Sequence, residues 1–356
     1  MDSVSQALLG ACIQGALMGR TQGRRSLLYG ALLGTVPDLD VIVQYADPVS
    51  NMTYHRGFSH SLFVLTIVAG LLTLVIKRIW PHTSYSAGRL GTTLLLVLVT
   101  HPLLDAFTIY GTQLFWPLAR TPESWSAIFI IDPIFTIPLL AAVAISLLKG
   151  FSNKANNGLS VALMFSAAYL LFGLGARIYT EQRVHKALAS QGIEIAELRS
   201  VPTPFNSLLW RTLAMEPDGH YIEAISSVFD RHMPEWIRLQ RGSQLSEPLQ
   251  GSPLYDRLRW FTDDWLRYDM LGDTLVVSDL RMGSPSLYTF RFAMARCGAD
   301  GELTPMAPEA WPSRMANASE VGAMLRRIAG GESLPLRKWS ERNQVSMKPS
   351  NGICES

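Results

Sequence analysis

The sequence predicts a polytopic α-helical membrane domain followed by a soluble α+β domain. Of the 356 residues, 48% are apolar and only 17% carry a charge, a balance that is unusual for a soluble protein. The carboxylates are also unevenly spread, because residues 1–179 hold seven of the 29 Asp and Glu and residues 180–356 hold the other 22. We therefore expect a helical bundle over residues 1–179, with about four long spans and an N-terminal helical hairpin, and a soluble domain over residues 180–356.

Two short apolar segments open the chain. Residues 4–18 and 27–36 are each shorter than the roughly 20 residues that cross a bilayer core, so they form either two brief spans or a re-entrant helical hairpin. A cleaved signal peptide is disfavoured, because the first basic residue, Arg20, follows the apolar segment instead of preceding it. Either form of hairpin returns the chain to the side of the membrane on which it began.

Four longer apolar segments approach or reach the length of a membrane span, at residues 62–76, 90–107, 127–148 and 159–176. If all four cross, the N-terminus, the loops 37–57 and 110–126 and the soluble half share one side. The short loops on the first side carry two basic residues, Arg56 and Arg120. The turns on the other side of the membrane carry eight: Arg20, Arg24, Arg25, Lys77, Arg78, Arg89, Lys149 and Lys154. The positive-inside rule makes the first side extracytoplasmic, although Arg177, Arg183 and Lys186 beside the last span count against that orientation.

The soluble half combines helical and strand patterns. Helical periodicity covers residues 181–190 and 321–328, while alternating runs at 220–230, 274–282 and 286–295 predict strands of an antiparallel sheet. The tail from about Lys338 is polar and is expected to be loose. Cys297 and Cys354 are far apart and indicate neither a zinc site nor a disulfide framework. A net charge of +2 without a basic stripe gives no case for nucleic acid.

Six ionisable residues fall in three short motifs that flank the apolar segments. The motifs are PDLD with Asp38 and Asp40, HRGFSH with His55 and His60, and THPLLD with His101 and Asp105. All three lie toward the same predicted side of the membrane, where they can converge. His101 and Asp105 are four residues apart and share one helix face. Asp38 and Asp40 point the same way if their segment is extended. His55 can fold back toward His60 if the helix begins after Gly57.

Imidazoles together with carboxylates form a mixed nitrogen and oxygen ligand set, which suits Zn²⁺ and also Mn²⁺ or Fe²⁺. Six candidates exceed the four of a closed structural site. The surplus permits two metals, or one metal with a water position and an unbound carboxylate as general base, for which Asp38, Asp40 and Asp105 are the candidates. Each residue alone could be an interfacial histidine or a turn aspartate, but six on one side favour a metal or catalytic site.

Four further polar residues are candidates for supporting roles. Arg56 can bind an anionic substrate group, or it can reach toward lipid headgroups. Gln113, in the loop after THPLLD, can contact substrate or bond the backbone. Gln6 and Asp132 lie on the same predicted side and are expected around the site, with a helix-to-helix hydrogen bond and a helix cap as their simpler roles.

The motifs resemble a known family. MDSVSQALLGA, GALLGTVPDLD, HRGFSHSL, THPLLDAFTIYGTQLFWP and IFIIDPIFTIPLL are similar to segments of the YdjM-like membrane-bound predicted metal-dependent hydrolases, whose prototype is described as LexA-regulated. The resemblance is dense over residues 1–140, and TPFNSLLWRTLAMEPDGHYIEAIS and VVSDLRMGSPSLYTFRF resemble the C-terminal region of longer members. It implies a multi-pass protein of the bacterial inner membrane with metal-dependent hydrolase activity.

The resemblance also implies roles for particular residues. The family's acidic pair falls on Asp38 and Asp40, its histidine pair on His55 and His60, and its helix pair on His101 and Asp105. Many members have a histidine where this chain has Gln6. Because glutamine is a poor ligand for transition metals, we expect Gln6 behind the ligands rather than among them.

The sequence thus favours a membrane hydrolase that cleaves an ester or phosphoester, such as a lipid or envelope precursor, through a metal-activated water. Two other functions remain open. The same cluster could relay protons or cations in a transporter, or a bound metal could hold together the helices of a structural membrane protein. The position of the ionisable groups at one end of the helices, rather than along a path through the midplane, argues against transport.

Overall fold

The computed structural model describes residues 1–151, 153–284, 287–331, 333–344 and 354. These residues group into two compact units, one of Met1–Val43 with Tyr54–Leu174 and one of Gln44–Thr53 with Gly175–Ser356. The first unit is helical, and the second is built mainly from antiparallel strands. The boundary between the units falls inside one continuous helix, and the short segment Gln44–Thr53 belongs to the second unit.

The helices of the first unit follow the order of the apolar segments. They are α1 (Ser3–Gln22), α2 (Arg25–Thr35), α4 (Leu62–Ile79), α5 (Ala87–Ala106), α6 (Pro133–Lys149) and α7 (Asn153–Ala189), with α3 (Pro48–Tyr54) between α2 and α4 in the chain. Two short 3₁₀ helices, Val36–Ile42 and Phe58–His60, precede and follow α3. The first carries the PDLD motif, and the second contains the end of the HRGFSH motif.

Among the described residues, three helical segments are long and apolar enough to cross a membrane: Leu62–Ile79, Ala87–Ala106 and Asn157–Ala189. The sequence predicts four such spans, and the predicted span at residues 127–148 forms the 17-residue helix α6. It is shorter than the predicted segment because it begins only at Pro133, where the Asp132 carboxylate caps the first turn by accepting from the Ile134 amide at 2.9 Å. In contrast, α7 continues without a break to Ala189 and so covers nearly all of the predicted helix 181–190.

The predicted N-terminal hairpin is present, and glycines bring its two helices into backbone contact. A Cβ built on Gly10 would lie 2.2 Å from the carbonyl oxygen of Gly30, and one built on Gly34 would lie 2.9 Å from that of Gln6. Gly30 and Gly34 have the GxxxG spacing that lets helix backbones approach closely in membrane proteins. α2 therefore runs antiparallel to α1, and this contact places the carbonyl group of Gly34.

The second unit contains two four-stranded antiparallel sheets, with the strand orders β1-β2-β3-β4 and β10-β9-β6-β5. The strands are β1 (Glu197–Pro202), β2 (Leu209–Met215), β3 (His220–Ser227), β4 (Glu235–Gln240), β5 (Leu266–Leu271), β6 (Thr274–Asp279), β9 (Arg291–Cys297) and β10 (Leu303–Ala310), and β7 (Gly283–Ser284) pairs with β8 (Leu287–Tyr288). The helices are α8 (Pro253–Thr262), α9 (Ala318–Ile328) and α10 (Leu336–Gln344). The prediction of antiparallel strands is confirmed. Residue 286 of the predicted run 286–295 lies outside the described residues.

One expectation for the second unit is wrong, and a second stays a prediction. Cys297, at the end of β9, is disulfide-bonded to Cys354, which lies 57 residues further along the chain. Separation in sequence did not reveal this pair, because folding brings the two ends of that stretch together. The tail from about Lys338 is expected to be loose, but α10 extends to Gln344 and Trp339 packs against Met324 and Leu334 with 5% of its surface exposed. Residues 345–353, 355 and 356 of that tail lie outside the described residues.

Candidate metal centre

Four of the six motif residues come together where three segments of the first unit meet. Asp38 lies in the 3₁₀ helix Val36–Ile42, His60 in the 3₁₀ helix Phe58–His60, and His101 and Asp105 near the C-terminal end of α5. One ligand atom from each lies within 4.8 Å of the others. His60, His101 and Asp105 are buried, while Asp38 is partly exposed. These four residues, the tetrad, could hold a metal ion, with Asp38 on the accessible side.

Nitrogen and oxygen atoms crowd the centre of the tetrad. His60 Nε2 lies 3.2 Å from His101 Nε2, 3.2 Å from Asp105 Oδ2 and 3.5 Å from Asp38 Oδ1. His101 Nε2 lies 3.3 Å from Asp38 Oδ1 and 3.5 Å from Asp105 Oδ2. Asp105 Oδ2 is buried and also lies 3.2 Å from Arg56 Nε. Two imidazole nitrogens and two carboxylate oxygens thus surround one point, as the mixed ligand set of a divalent metal does.

The hydrogen bonds behind the two histidines indicate which nitrogen carries the proton. His101 Nδ1 lies 2.6 Å from the Gly34 carbonyl oxygen, which can only accept, so Nδ1 is the donor. Ser59 Oγ donates its proton to Asp40 Oδ2 at 2.5 Å. It therefore accepts from His60 Nδ1, which lies 2.9 Å away and carries the proton of that ring. Both Nε2 atoms therefore present lone pairs to the centre. A divalent metal ion between the two Nε2 atoms would accept both lone pairs, next to the carboxylates of Asp38 and Asp105.

The electrostatics of His60 also indicate a demand for positive charge. Burial lowers the pKa of His60, but its hydrogen bonds to Asp105, Asp38 and Asp40 outweigh burial and raise the pKa to about 9. His60 thus attracts a proton when no other cation is bound. A metal ion at the same point would replace that proton as the compensating charge.

Asp40 and His55 stand outside the tetrad and interact with each other. Asp40 Oδ1 lies 2.8 Å from His55 Nδ1, and Asp40 Oδ2 accepts from the Arg56 amide at 3.0 Å. Burial raises the pKa of Asp40, but the hydrogen bonds from His55, His60 and Ser59 outweigh it, so the pKa lies below its usual range. Asp38 and Asp40 diverge because their segment is a 3₁₀ helix with three residues per turn, instead of the extended strand that the sequence suggests.

Arg56 lies inside the protein and reaches toward the tetrad. Its side chain is 4% exposed, with Nε 3.2 Å from Asp105 Oδ2 and Nη1 donating to Thr108 Oγ1 at 3.3 Å. The guanidinium also stacks over the Tyr110 ring, 4.9 Å from its centroid. This geometry excludes the interpretation in which Arg56 reaches out to lipid headgroups. It places a positive charge directly beside the buried carboxylate of Asp105.

Comparison with known proteins connects this site to a family. Residues 1–180, which include the whole tetrad, match the family model described as YdjM inner membrane protein. The chain belongs to the YdjM family. Over 250 residues it is 24% identical to the uncharacterized protein YfhP of Bacillus subtilis (strain 168), covering 67% of this chain and 73% of YfhP. Over 116 residues it is 34% identical to the inner membrane protein YbcI of Escherichia coli (strain K12), covering 32% of this chain and 64% of YbcI. No solved structure matches.

In this YdjM family member, Gln6 lies directly behind the tetrad. Its Nε2 donates to Asp105 Oδ1 at 3.1 Å and to the His101 carbonyl at 3.2 Å. The backbone N–H of Gln113 donates to the backbone carbonyl of Arg56 at 3.0 Å. Asp132 caps α6 and accepts from the Tyr169 hydroxyl at 2.9 Å. The structure thus places the Gln6 side chain against Asp105, whereas these bonds of Asp132 belong to the packing of α6.

Two contributors to the site are not apparent in the sequence. The Gly34 carbonyl orients His101, and a backbone carbonyl leaves no residue-type signal. Ser59 links His60 to Asp40, and only its position inside the HRGFSH motif could have pointed to it.

A second group of possible ligands lies in the other unit of this YdjM family member, where Glu216, Asp218 and His220 are close together. Arg238 already pairs with its two carboxylates, at 2.6 Å from Glu216 Oε2 and 2.6 Å from Asp218 Oδ2. The charge of this group is therefore compensated by protein. At the tetrad, Asp105 pairs with the Arg56 guanidinium and with the N-terminal ammonium group of Met1.

Proposed function

We propose that this YdjM family member is a metal-dependent hydrolase of the inner membrane that cleaves an ester or phosphoester bond, with the tetrad as its metal ligands. The observation that carries the proposal is the pair of Nε2 lone pairs of His60 and His101, which face each other at 3.2 Å. Each histidine is held from behind through Nδ1, as histidines that bind metals usually are. The two carboxylates of the tetrad complete a set of four.

The mixed nitrogen and oxygen set favours Zn²⁺, with Mn²⁺ or Fe²⁺ as alternatives. A divalent ion held there would lower the pKa of a coordinated water toward neutrality and so supply the nucleophile. In hydrolysis the hydroxyl of water adds to the carbonyl carbon or the phosphorus, and the leaving alcohol takes a proton. The protein must therefore accept one proton and deliver one.

His55, supported by Asp40, is the proton acceptor in this proposal. Its ring centroid lies 6.0 Å from that of His60, and its Nδ1 is paired with Asp40 Oδ1 at 2.8 Å. A carboxylate behind Nδ1 keeps Nε2 basic and stabilises the imidazolium once it forms. Asp40 itself is less suited as the base, because donors on both oxygens favour its ionised form.

Arg56 is the proposed stabiliser of negative charge. Its guanidinium offsets the charge of Asp105 and would attract the anionic oxygens of a phosphoester. Gln113 is a second candidate for contact with substrate, because its side-chain amide lies next to Gly57, where an added Cβ would be 3.4 Å from Nε2.

The second unit and the site are proposed to face the extracytoplasmic side. The excess of basic residues on the opposite turns supports this orientation. The Cys297–Cys354 disulfide supports it independently, because such bonds persist in oxidising compartments and are rare in the cytoplasm.

The test is turnover by the purified protein loaded with Zn²⁺, Mn²⁺ or Fe²⁺. The substrates are bis(p-nitrophenyl) phosphate, p-nitrophenyl acetate and phospholipid bilayers. We expect hydrolysis that is lost in His60→Ala and His101→Ala. Ion flux into proteoliposomes that Asp105→Asn abolishes, without turnover of any ester, would instead identify a transporter. Metal-dependent thermal stability with neither activity would identify a structural metal site.

A further inference from the structure

A cavity of about 450 Å³ lies between helices of the first unit, and none of the tetrad residues lines it. Its walls come from α1, α5, α6 and α7, and include Leu9, Leu103, Phe135 and Leu163. The lining is aliphatic or aromatic except for the hydroxyls of Thr100, Ser160 and Ser166. The volume lies within the range of cavities that bind small organic ligands. We call this cavity the α5–α7 groove.

The location of the α5–α7 groove determines what can fill it. α5 and α7 contain two of the three described segments that are long and apolar enough to span a bilayer. Leu96, which lines the groove, is 41% exposed, so the groove opens onto the outer surface of these helices. In a bilayer that surface contacts lipid hydrocarbon, and apolar cavities exclude water. Because the groove continues the surface that faces lipid, a hydrocarbon chain of the bilayer is its natural occupant.

One hydroxyl in the groove favours a particular kind of chain. Ser166 is 2% exposed, and its Oγ has no hydrogen-bond partner among the described residues. Thr100 Oγ1, in contrast, donates to the Leu96 carbonyl at 2.7 Å. A buried hydroxyl without a partner is destabilising, so a ligand that offers an acceptor is favoured. The ester carbonyl at the head of an acyl chain is such an acceptor.

The α5–α7 groove ends beside the tetrad. It follows α5 from Leu96 to Phe107, a length of about 16 Å at 1.5 Å per residue. Leu104, near its end, is adjacent to Asp105 in the chain, yet the groove residues and the tetrad residues occupy different faces of α5. A chain in the groove would therefore bring its linkages to the end of α5 that carries the tetrad, without displacing a ligand.

We propose that the α5–α7 groove binds an acyl chain of a glycerophospholipid and so presents that lipid's ester or phosphoester linkage to the tetrad. The substrate class rests on the proposed hydrolase function, whereas acyl-chain binding does not. The two parts are therefore tested by separate measurements.

Photocrosslinking measures the binding. The full-length protein in nanodiscs is irradiated with phosphatidylglycerol that carries a diazirine in one acyl chain, and labelled peptides are mapped by mass spectrometry. We expect labels at groove residues such as Leu103 and Leu163, reduced about tenfold by Ala167→Trp, which fills the groove. Met164→Trp, on the 63% exposed face of the same helix, should leave groove labelling unchanged. A folded Ala167→Trp protein with undiminished groove labelling would overturn the proposal.

Ser166→Ala is a second and milder variant. It removes the hydroxyl that would donate one neutral hydrogen bond to the acyl ester, so groove labelling should fall about fivefold. If Ala167→Trp does not fold, this variant decides: reduced groove labelling supports the proposal, and unchanged labelling overturns it.

Turnover separates the groove from the hydrolase proposal. His101→Ala should lose phospholipid turnover and keep groove labelling. Turnover of soluble esters without groove labelling would overturn the groove alone. Groove labelling without phospholipid turnover by the wild type would overturn the substrate assignment, and the hydrolase proposal would then depend on the soluble esters.

Discussion

His60 Nε2 and His101 Nε2 face each other at 3.2 Å, although the two residues are 41 positions apart in the chain. Neither can donate to the other when each carries its proton on Nδ1, where the Gly34 carbonyl and Ser59 hold it. The carboxylates of Asp38 and Asp105 add negative charge at the same point.

The close contact between α1 and α2 should be needed for the site. Gly30→Ala would place a Cβ 2.2 Å from the Gly10 carbonyl oxygen, so α2 must move and carry the Gly34 carbonyl with it. We expect a loss of stability of about 1–3 kcal/mol and weaker metal binding, measured by thermal unfolding in detergent and by metal titration. Gly70→Ala on α4, with nothing within 4 Å, is the control. Wild-type stability and metal affinity in Gly30→Ala would contradict this account of the hairpin.

The roles of His55 and the tetrad should be separable. His55→Gln is expected to keep bound metal, because His55 lies outside the tetrad, and to reduce kcat by about 100-fold or more through loss of the proton acceptor. The measurements are metal content and turnover of bis(p-nitrophenyl) phosphate. His82→Gln, an exposed histidine between α4 and α5, is the control and should change neither. Loss of metal from His55→Gln would make His55 a ligand instead, and full turnover would remove it from the reaction.

The disulfide provides a test of sidedness. If the second unit is extracytoplasmic, Cys297 and Cys354 should resist alkylation in intact cells until a reductant is added. Mass spectrometry after alkylation without reduction should recover the two cysteines as one linked pair. Cys12, which is free and buried in α1, becomes the internal reference for an unpaired thiol once the protein is denatured for alkylation. Quantitative alkylation of Cys297 without reductant would place the domain in a reducing compartment.

The ion pair between Arg327 and Asp230 should make the second unit sensitive to acid. Arg327 Nη1 lies 2.6 Å from Asp230 Oδ1, and Arg327 Nε lies 2.6 Å from Glu235 Oε1. Burial raises the pKa of Asp230, but its hydrogen bonds from Arg327 and the Ser227 amide outweigh it and lower the pKa below its ordinary value. The carboxylate therefore stabilises the fold above about pH 4 and loses this effect as the pH falls through its folded pKa.

Asp230→Asn should thus be less stable than wild type at pH 7, by about 1–3 kcal/mol, and the gap should narrow below pH 4. Chemical denaturation of the solubilised protein at several pH values measures this difference. Asp273→Asn, at a site 64% exposed, is the control and should show little difference at any pH. A gap that stays constant down to pH 3 would contradict the assignment to Asp230.

The number of predicted membrane crossings and the residue spacing within helices predicted much of the site. The expectation that the three motifs can converge on one side is consistent with the tetrad, and the four-residue spacing of His101 and Asp105 places both on one face of α5. The turn after Gly57 allows His55 to fold back to within 6.0 Å of His60, measured between ring centroids. These relations follow from helix geometry, which depends little on the rest of the fold.

Other features depend on contacts that the residue types do not encode. The two aspartates of PDLD diverge because the segment is a 3₁₀ helix, so Asp38 joins the tetrad and Asp40 supports His55. The orientation of His101 depends on a backbone carbonyl that the glycine contact between α1 and α2 places. The disulfide depends on chain folding over 57 residues. The first case depends on the local backbone conformation, and the other two depend on tertiary contacts.

Metal content tests the central claim most directly. Wild-type protein is purified without chelator and dialysed against buffer that contains trace metal. It should retain about one divalent ion per chain, as measured by inductively coupled plasma mass spectrometry. His60→Ala and His101→Ala should each lose it, because each removes a nitrogen from the tetrad. His82→Ala should retain the wild-type amount. Equally little metal in the wild type and in the two tetrad variants would contradict the account.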